Sequence, residues 1–215
     1  MKNATEICIV LDRSGSMDVL RDKTIESFNS FIKDQKVIPG EAYVSLIQFD
    51  DSYEPNYYHK ELSLVDYLTR DTYQPRGMTK LYDAIGKTIN DLGERLRNIS
   101  ENNRPDKVLF IIITDGQENS SREFQWETIK KMIDHQTDKY NWKFLYLGAN
   151  QDAMAEAGKI GIGLTGTVTY DQTVKGTNAL FAAVSDFTVA YRSGKPTDTM
   201  SNYYNQALAE EEDKK

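Results

Sequence analysis

A single cysteine, Cys8, stands among 215 residues, so no internal disulfide can staple this chain. Flanked by Ile7 and Ile9, it reads as a small buried hydrophobe of a strand rather than a reactive thiol. Histidine is nearly as scarce. His59 falls on a predicted edge strand and His135 near a helix end, and neither has Cys or acidic partners at ligand spacing, which argues against a zinc site. No histidine falls in a loop next to Ser14 or Ser16, so a Ser-His-Asp triad has no support. Long apolar runs are missing too, and nothing approaches the roughly 20 residues that a spanning helix needs. Basic residues are outnumbered, 26 against 33 acidic, and the net charge of -7 disfavours nucleic acid or anionic lipid as a partner of a general basic surface. The N-terminus leads straight into the first strand, so no leader and a cytoplasmic location are expected. The sequons at Asn3, Asn98 and Asn119 then read as chance matches.

What is present fits one α/β domain with a substantial core, at 39% hydrophobic and 11% aromatic residues. Apolar runs and helical stripes alternate. A strand through Leu11 is followed by a stripe at Leu20, Ile25, Phe28, Phe31 and Ile32. Pro39-Gly40 breaks the chain, residues 42–50 read as a strand, and the Tyr-rich residues 53–62 return as an antiparallel edge. A short helix is expected at 64–68 and a longer one at 81–96. Residues 108–114 form the strongest strand, apolar on both faces as a central parallel strand must be. Helix 122–137, strand 142–148, helix 151–160, strand 166–170 and helix 173–191 follow.

The pattern predicts a doubly wound, three-layer α/β/α fold with a mostly parallel six-stranded sheet and one antiparallel edge strand, a Rossmann-like arrangement. The domain is expected over residues 1–194, with residues 195–215 as a polar, acidic tail that is disordered or partner-dependent. The first and fourth strands should be neighbours where strand order reverses, the place where ligands bind in such sheets. Asp12 and Asp115 close those two strands.

The first strand ends in Asp12, Ser14 and Ser16 at alternate positions, and an extended exit points all three oxygens one way. Gly15 lets the chain turn between the hydroxyls. Converging hard oxygens suit a small divalent cation. Two further segments, Arg76-Gly77-Met78-Thr79 and Thr114-Asp115-Gly116, belong at the same crest. Together they resemble the metal-ion-dependent adhesion site (MIDAS) of the von Willebrand factor A domain family, an Asp-x-Ser-x-Ser motif with a distant Thr and a distant Asp. All five positions are matched, by Asp12, Ser14, Ser16, Thr79 and Asp115. The one departure is Arg76-Gly77-Met78, where the family often has paired glycines.

The resemblance implies a non-enzymatic protein-binding module that holds Mg²⁺ or Mn²⁺, with Ca²⁺ the remaining candidate. Ser14, Ser16 and Thr79 would supply hydroxyl oxygens, and Asp12 and Asp115 would act through waters or directly. The partner would be a protein offering an Asp or Glu carboxylate. Glu118, Asn119 and Asn150 lie on the same predicted rim as outer-shell or partner-contact candidates, whereas Asp50 and Asp51 read as turn residues first, with an outer-shell role the lesser alternative.

Plainer readings exist for single residues. Ser16 could cap a helix from Met17, and Thr79 one from Leu81. Five oxygen donors in register argue for ligation instead. A Mg²⁺-dependent phosphoryl-transfer enzyme with Asp12 as nucleophile would need a second acid two residues on, where Ser14 stands, and a lysine for the phosphate, with Lys80 and Lys107 nearest in sequence. Gly86-Lys87-Thr88 lacks the glycine a phosphate loop requires at position 81, which is Leu. A third possibility is an interaction domain with a vestigial metal site, its surface built on Tyr53, Tyr57, Tyr58 and Tyr67.

Overall fold

A computed structural model describes residues 4–149 and 152–213. Its sheet has the order β3-β2-β1-β4-β5-β6. The strands are β1 (Thr5–Asp12), β2 (Ala42–Phe49), β3 (Tyr53–Glu61), β4 (Lys107–Thr114), β5 (Lys143–Gly148) and β6 (Thr167–Thr169). All pairs are parallel except the β2–β3 hairpin, as the short turn between those apolar and Tyr-rich runs requires. β1 lies between β2 and β4, so the reversal of strand order falls where it was expected.

The period of two along β1 divides the core. Ile7, Ile9 and Leu11 face the layer of α1 (Arg21–Lys36), α5 (Val174–Arg192) and α6 (Met200–Asp213). Cys8 and Val10 face that of α2 (Leu81–Asn98), α3 (Trp126–Tyr140) and α4 (Ala153–Lys159). Both faces of the central strands are therefore dry, which explains their unbroken apolar sequences. Cys8 is fully buried, and that burial pushes its thiol well above the ordinary value.

Three local expectations are corrected. Residues 64–68 carry no α-helix: after a 3₁₀ turn at Leu62–Leu64 the chain runs irregularly, dropping Leu62, Val65, Leu68 and Tyr73 into the core. Side chains of α1 satisfy that backbone, Asn29 pairing with both Leu68 N and O and Lys36 donating to Val65 O. α3 begins at Trp126 instead of residue 122, because a carboxylate takes the preceding amides, as described below. Residues 200–213, expected within a disordered or partner-dependent tail, form α6, with Met200, Tyr204 and Ala207 buried against α5 and the core. Each large apolar side chain so buried contributes about 1.5–3 kcal/mol, enough to hold a helix that is polar elsewhere.

Candidate metal centre

β1 ends at Asp12, whose side chain has no exposed surface. One of its oxygens accepts from Ser14 N at 2.6 Å and the other from Thr114 Oγ1 at 2.6 Å, so the carboxylate bridges the crests of β1 and β4. The fully buried Tyr73 donates its hydroxyl to Asp12 O at 2.8 Å and fixes the strand end from below. Past Ser14 the chain turns into a 3₁₀ helix, Gly15–Leu20. That turn leaves Ser14 Oγ 3.2 Å from Ser16 Oγ, and Ser16 Oγ donates to Asp115 Oδ1 at 2.7 Å. Gln172 Nε2 donates to the other oxygen of Asp115 at 2.5 Å.

Thr79 reaches the cluster from the segment before α2 and is almost fully buried. A side chain at Gly116 would begin 3.0 Å from Thr79 Oγ1 and 3.9 Å from Asp12 Oδ2, so only glycine lets this backbone pass so close to the hydroxyl and the carboxylate. All five motif residues thus gather at the crests of β1 and β4. Burial pushes Asp12 up to about 7 despite the donors from Thr114 and Ser14, and the neighbouring Asp115 adds to the rise. Asp115 is raised as well, again by burial first. Two desolvated carboxylates beside three hydroxyls fit a hard divalent cation.

Helix capping falls to other residues. Among the described residues neither Ser16 nor Thr79 has a side-chain hydrogen bond to a helix amide. The first turn of α2 is served by Glu118, which accepts from Tyr82 N at 2.9 Å, and by Ser121 Oγ, which accepts from Asp83 N at 3.0 Å. Glu118 also accepts from Ser120 N and Ser121 N at 2.8 and 2.6 Å, and it organises the loop rather than facing the cluster. Asn119 pairs twice with the backbone of Thr79, through Oδ1 to its N at 3.1 Å and through its own N to O at 3.2 Å. Asn150 lies outside the described residues.

Several participants were hardly legible beforehand. Asp50 is a buried hub, accepting from Arg13 Nε at 2.9 Å and Arg76 Nε at 3.0 Å. Asp51 accepts from Met78 N at 3.1 Å, and a side chain on Gly77 would collide with its carboxylate at 2.3 Å. With φ at +67°, Gly77 is the one position of the departing segment that demands glycine. Asp83 accepts the amides of Arg122, Glu123 and Phe124 at 2.8–3.0 Å, which delays the start of α3. The phosphoryl-transfer reading loses one of its lysines: Lys107 is at the opposite end of β4, donating to Tyr191 O and Arg192 O. His59, expected to be isolated, lies 2.6 Å from Glu6 Oε2, so a buried carboxylate accounts for it. Among the described residues no group of three or more His, Cys, Asp or Glu side chains gathers as a metal cluster, so any cation centre depends on the hydroxyls.

The model of the von Willebrand factor type A domain matches residues 6–183. No curated protein matches the chain. Among solved structures it is similar to proximal thread matrix protein 1 of the mussel byssus, with a TM-score of 0.62 and 13% identity over 86% of this chain and 48% of that one. A further structure of the mussel protein, with a zinc-occupied MIDAS motif, gives a TM-score of 0.60 and 14% identity over 86% and 46% of the two chains. A von Willebrand factor type A protein from Catenulispora acidiphila follows at 0.58 and 14%, over 87% and 43%. The chain spans about half the length of these structures. At such identities the likeness is one of fold.

Proposed function

Since the chain belongs to the von Willebrand factor type A domain family, we propose that it is a divalent-cation-dependent protein-binding module whose metal-ion-dependent adhesion site grips an acidic residue of a partner protein. Ser14, Ser16 and Thr79 would hold the cation through hydroxyl oxygens, and Asp12 and Asp115 through carboxylates. Mg²⁺ or Mn²⁺ fits this donor set best, with Ca²⁺ the third candidate. When bound, the cation would supply an electrophilic point at which a partner's Asp or Glu oxygen is accepted.

The observation that carries this reading is the meeting of five oxygen-bearing side chains, drawn from three chain segments, at the crests of β1 and β4 beside Gly116. Neutral hydroxyls neutralise little of a cation's charge and so leave it attractive to an incoming carboxylate. Two carboxylates held in a desolvated site are strained while no positive charge faces them, which favours cation uptake. The zinc-occupied MIDAS motif of the mussel protein is a centre of the kind meant.

Calorimetric titration with Mg²⁺ and Mn²⁺ tests the cation, and capture from lysate with and without chelator tests the partner. Wild-type protein should bind one cation, and Ser14→Ala should lose binding while its circular dichroism and melting temperature stay near wild type. Silence of the wild-type protein toward every divalent cation tried would remove the reading. Unfolding of Ser14→Ala would reassign that hydroxyl to structure.

A further inference from the structure

Asp50 has no place among the five oxygen donors, yet the two segments that carry four of them, Asp12, Ser14, Ser16 and Thr79, converge on it. Its carboxylate is almost fully buried at the exit of β2. One oxygen accepts from Ser52 N at 2.6 Å and secures its own turn. The other accepts from Arg13 Nε at 2.9 Å and from Arg76 Nε at 3.0 Å. Arg13 lies between Asp12 and Ser14, and Arg76 lies three residues before Thr79. Backbone bonds follow the same lines: Arg76 N to Arg13 O at 2.8 Å, Gly15 N to Gly77 O at 3.2 Å and Lys80 N to Asp50 O at 3.3 Å. Arg13 Nη2 also lies 2.7 Å from Glu54 Oε2 across the turn, out of line for a hydrogen bond.

From this lacing we infer that Asp50 is a positioning residue of the cation site, and that its two guanidinium partners set the separation between the Ser14–Ser16 turn and Thr79. The inference rests on the cation reading above and adds residues that touch no ligand. A buried carboxylate shared by two arginines is a directional brace, because each guanidinium N–H must aim at the same oxygen. Arg13, in the variable position of the Asp-x-Ser-x-Ser motif, sends its side chain away from the hydroxyls, so the motif's own backbone is pulled toward β2. Arg76 does the same for the opposite segment from a position more than half exposed. Loss of the brace would leave the five donors present but displaced, and cation affinity is sensitive to the support behind its ligands.

The exposed arm gives the cleaner test, since Asp50 keeps Arg13 Nε and Ser52 N as partners when the exposed Arg76 guanidinium is removed. Arg76→Gln should weaken Mn²⁺ binding about 10-fold in calorimetry, and Asp50→Asn up to about 100-fold, the range typical of groups that orient metal ligands. The melting temperature of Arg76→Gln should move by no more than about 3 °C. Arg76→Lys, which keeps the charge near Asp50 but not the planar guanidinium that aims at it, should recover only part of the affinity. Arg70→Gln, which breaks an exposed ion pair with Asp22 on α1, is the matched control and should bind Mn²⁺ as wild type does. A readout without metal accompanies these: the amides of Gly15 and Met78, which close the lacing, should exchange faster in Arg76→Gln while core amides do not. Wild-type affinity and unchanged exchange in Arg76→Gln would overturn the inference with the cation reading intact. Wild-type protein that binds no divalent cation would remove both.

Discussion

The two sides of the crest are held by different chemistry. On the α2–α3 side, Glu118 and Asp83 are anchored to backbone, between them accepting the amides of Tyr82, Ser120, Ser121, Arg122, Glu123 and Phe124. Carboxylate-to-amide bonds of this sort hold the loop backbone directly and seat it on the first turn of α2. On the β2–β3 side the braces are side chain to side chain, Arg13 and Arg76 on Asp50, with Glu54 behind them. Long side chains bridging separate loops have more ways to readjust than amides do. Stability should therefore concentrate on the first side, and sensitivity of the cation site to its surroundings on the second.

The change with the largest effect removes the charge that both sides frame. Asp12→Asn should abolish the heat of Mn²⁺ binding and at the same time raise the melting temperature of the cation-free protein. Burial pushes this carboxyl up to about 7, with Asp115 adding to the rise, so the ionised form is costly in the fold. Asn keeps the shape and still accepts from Ser14 N, while the Thr114 hydroxyl can turn to Gly116 O, 3.1 Å away. A lowered melting temperature, measured by calorimetry in chelator, would show that Asp12 serves chiefly as a hydrogen-bond acceptor for the turn. Next comes Glu118→Ala, which strands several amides at once. Orphaned donors cost about 1–3 kcal/mol each when water cannot reach them, and this loop is partly exposed, so a fall of about 5–10 °C is expected. The contrast with Arg76→Gln, small in stability and large in affinity, is the sharpest form of the comparison. Equal melting temperatures for the two variants would erase it.

The sequence foretold one side of this picture better than the other. Strand β1, strand β4 and the residues at their tips were legible because a period-two exit from an apolar run is a local signal. Their adjacency followed from the winding rule, and the sheet order agrees. Asp50 was legible only as a lesser alternative, for the opposite reason. Next to Asp51 at a strand end it reads as a turn former, and its partners stand 37 and 26 residues away. Asp83 stands in the first turn of α2, where an acidic residue is favourable in any case, and nothing local hints that three amides come to it from the next loop. The α6 segment did carry a signal. Met200, Tyr204 and Ala207 recur at helical spacing, but the charge run from Glu210 dominated the reading of that segment. Residues that act across the fold leave no periodicity behind them.

Gln172 belongs to neither side, and the smallest expected effect is the one that separates them most finely. Its amide donates to Asp115 Oδ2 at 2.5 Å, while Ser16 donates to Oδ1 at 2.7 Å, so both oxygens of this carboxylate are engaged. A cation drawing on Asp115 must compete with at least one of these donors. Gln172→Ala removes the competitor that is not itself a candidate ligand. The affinity for Mn²⁺ should then rise a few-fold, since a hydrogen bond to a charged group is worth about 1.5–3 kcal/mol and most of it is recovered when water takes the place of the amide. The fold should tolerate the change, because the turn beside Gln172 has its own supports: Asp171 N donates to Tyr204 Oη at 3.1 Å, and Thr173 caps α5 through Gly176 N at 3.0 Å. A fall in affinity would mean that Gln172 orients Asp115 toward the cation instead of detaining it. Asp115 would then be braced from the turn before α5 much as the hydroxyl segments are braced from the exit of β2, and both arms of the crest would work by orientation alone.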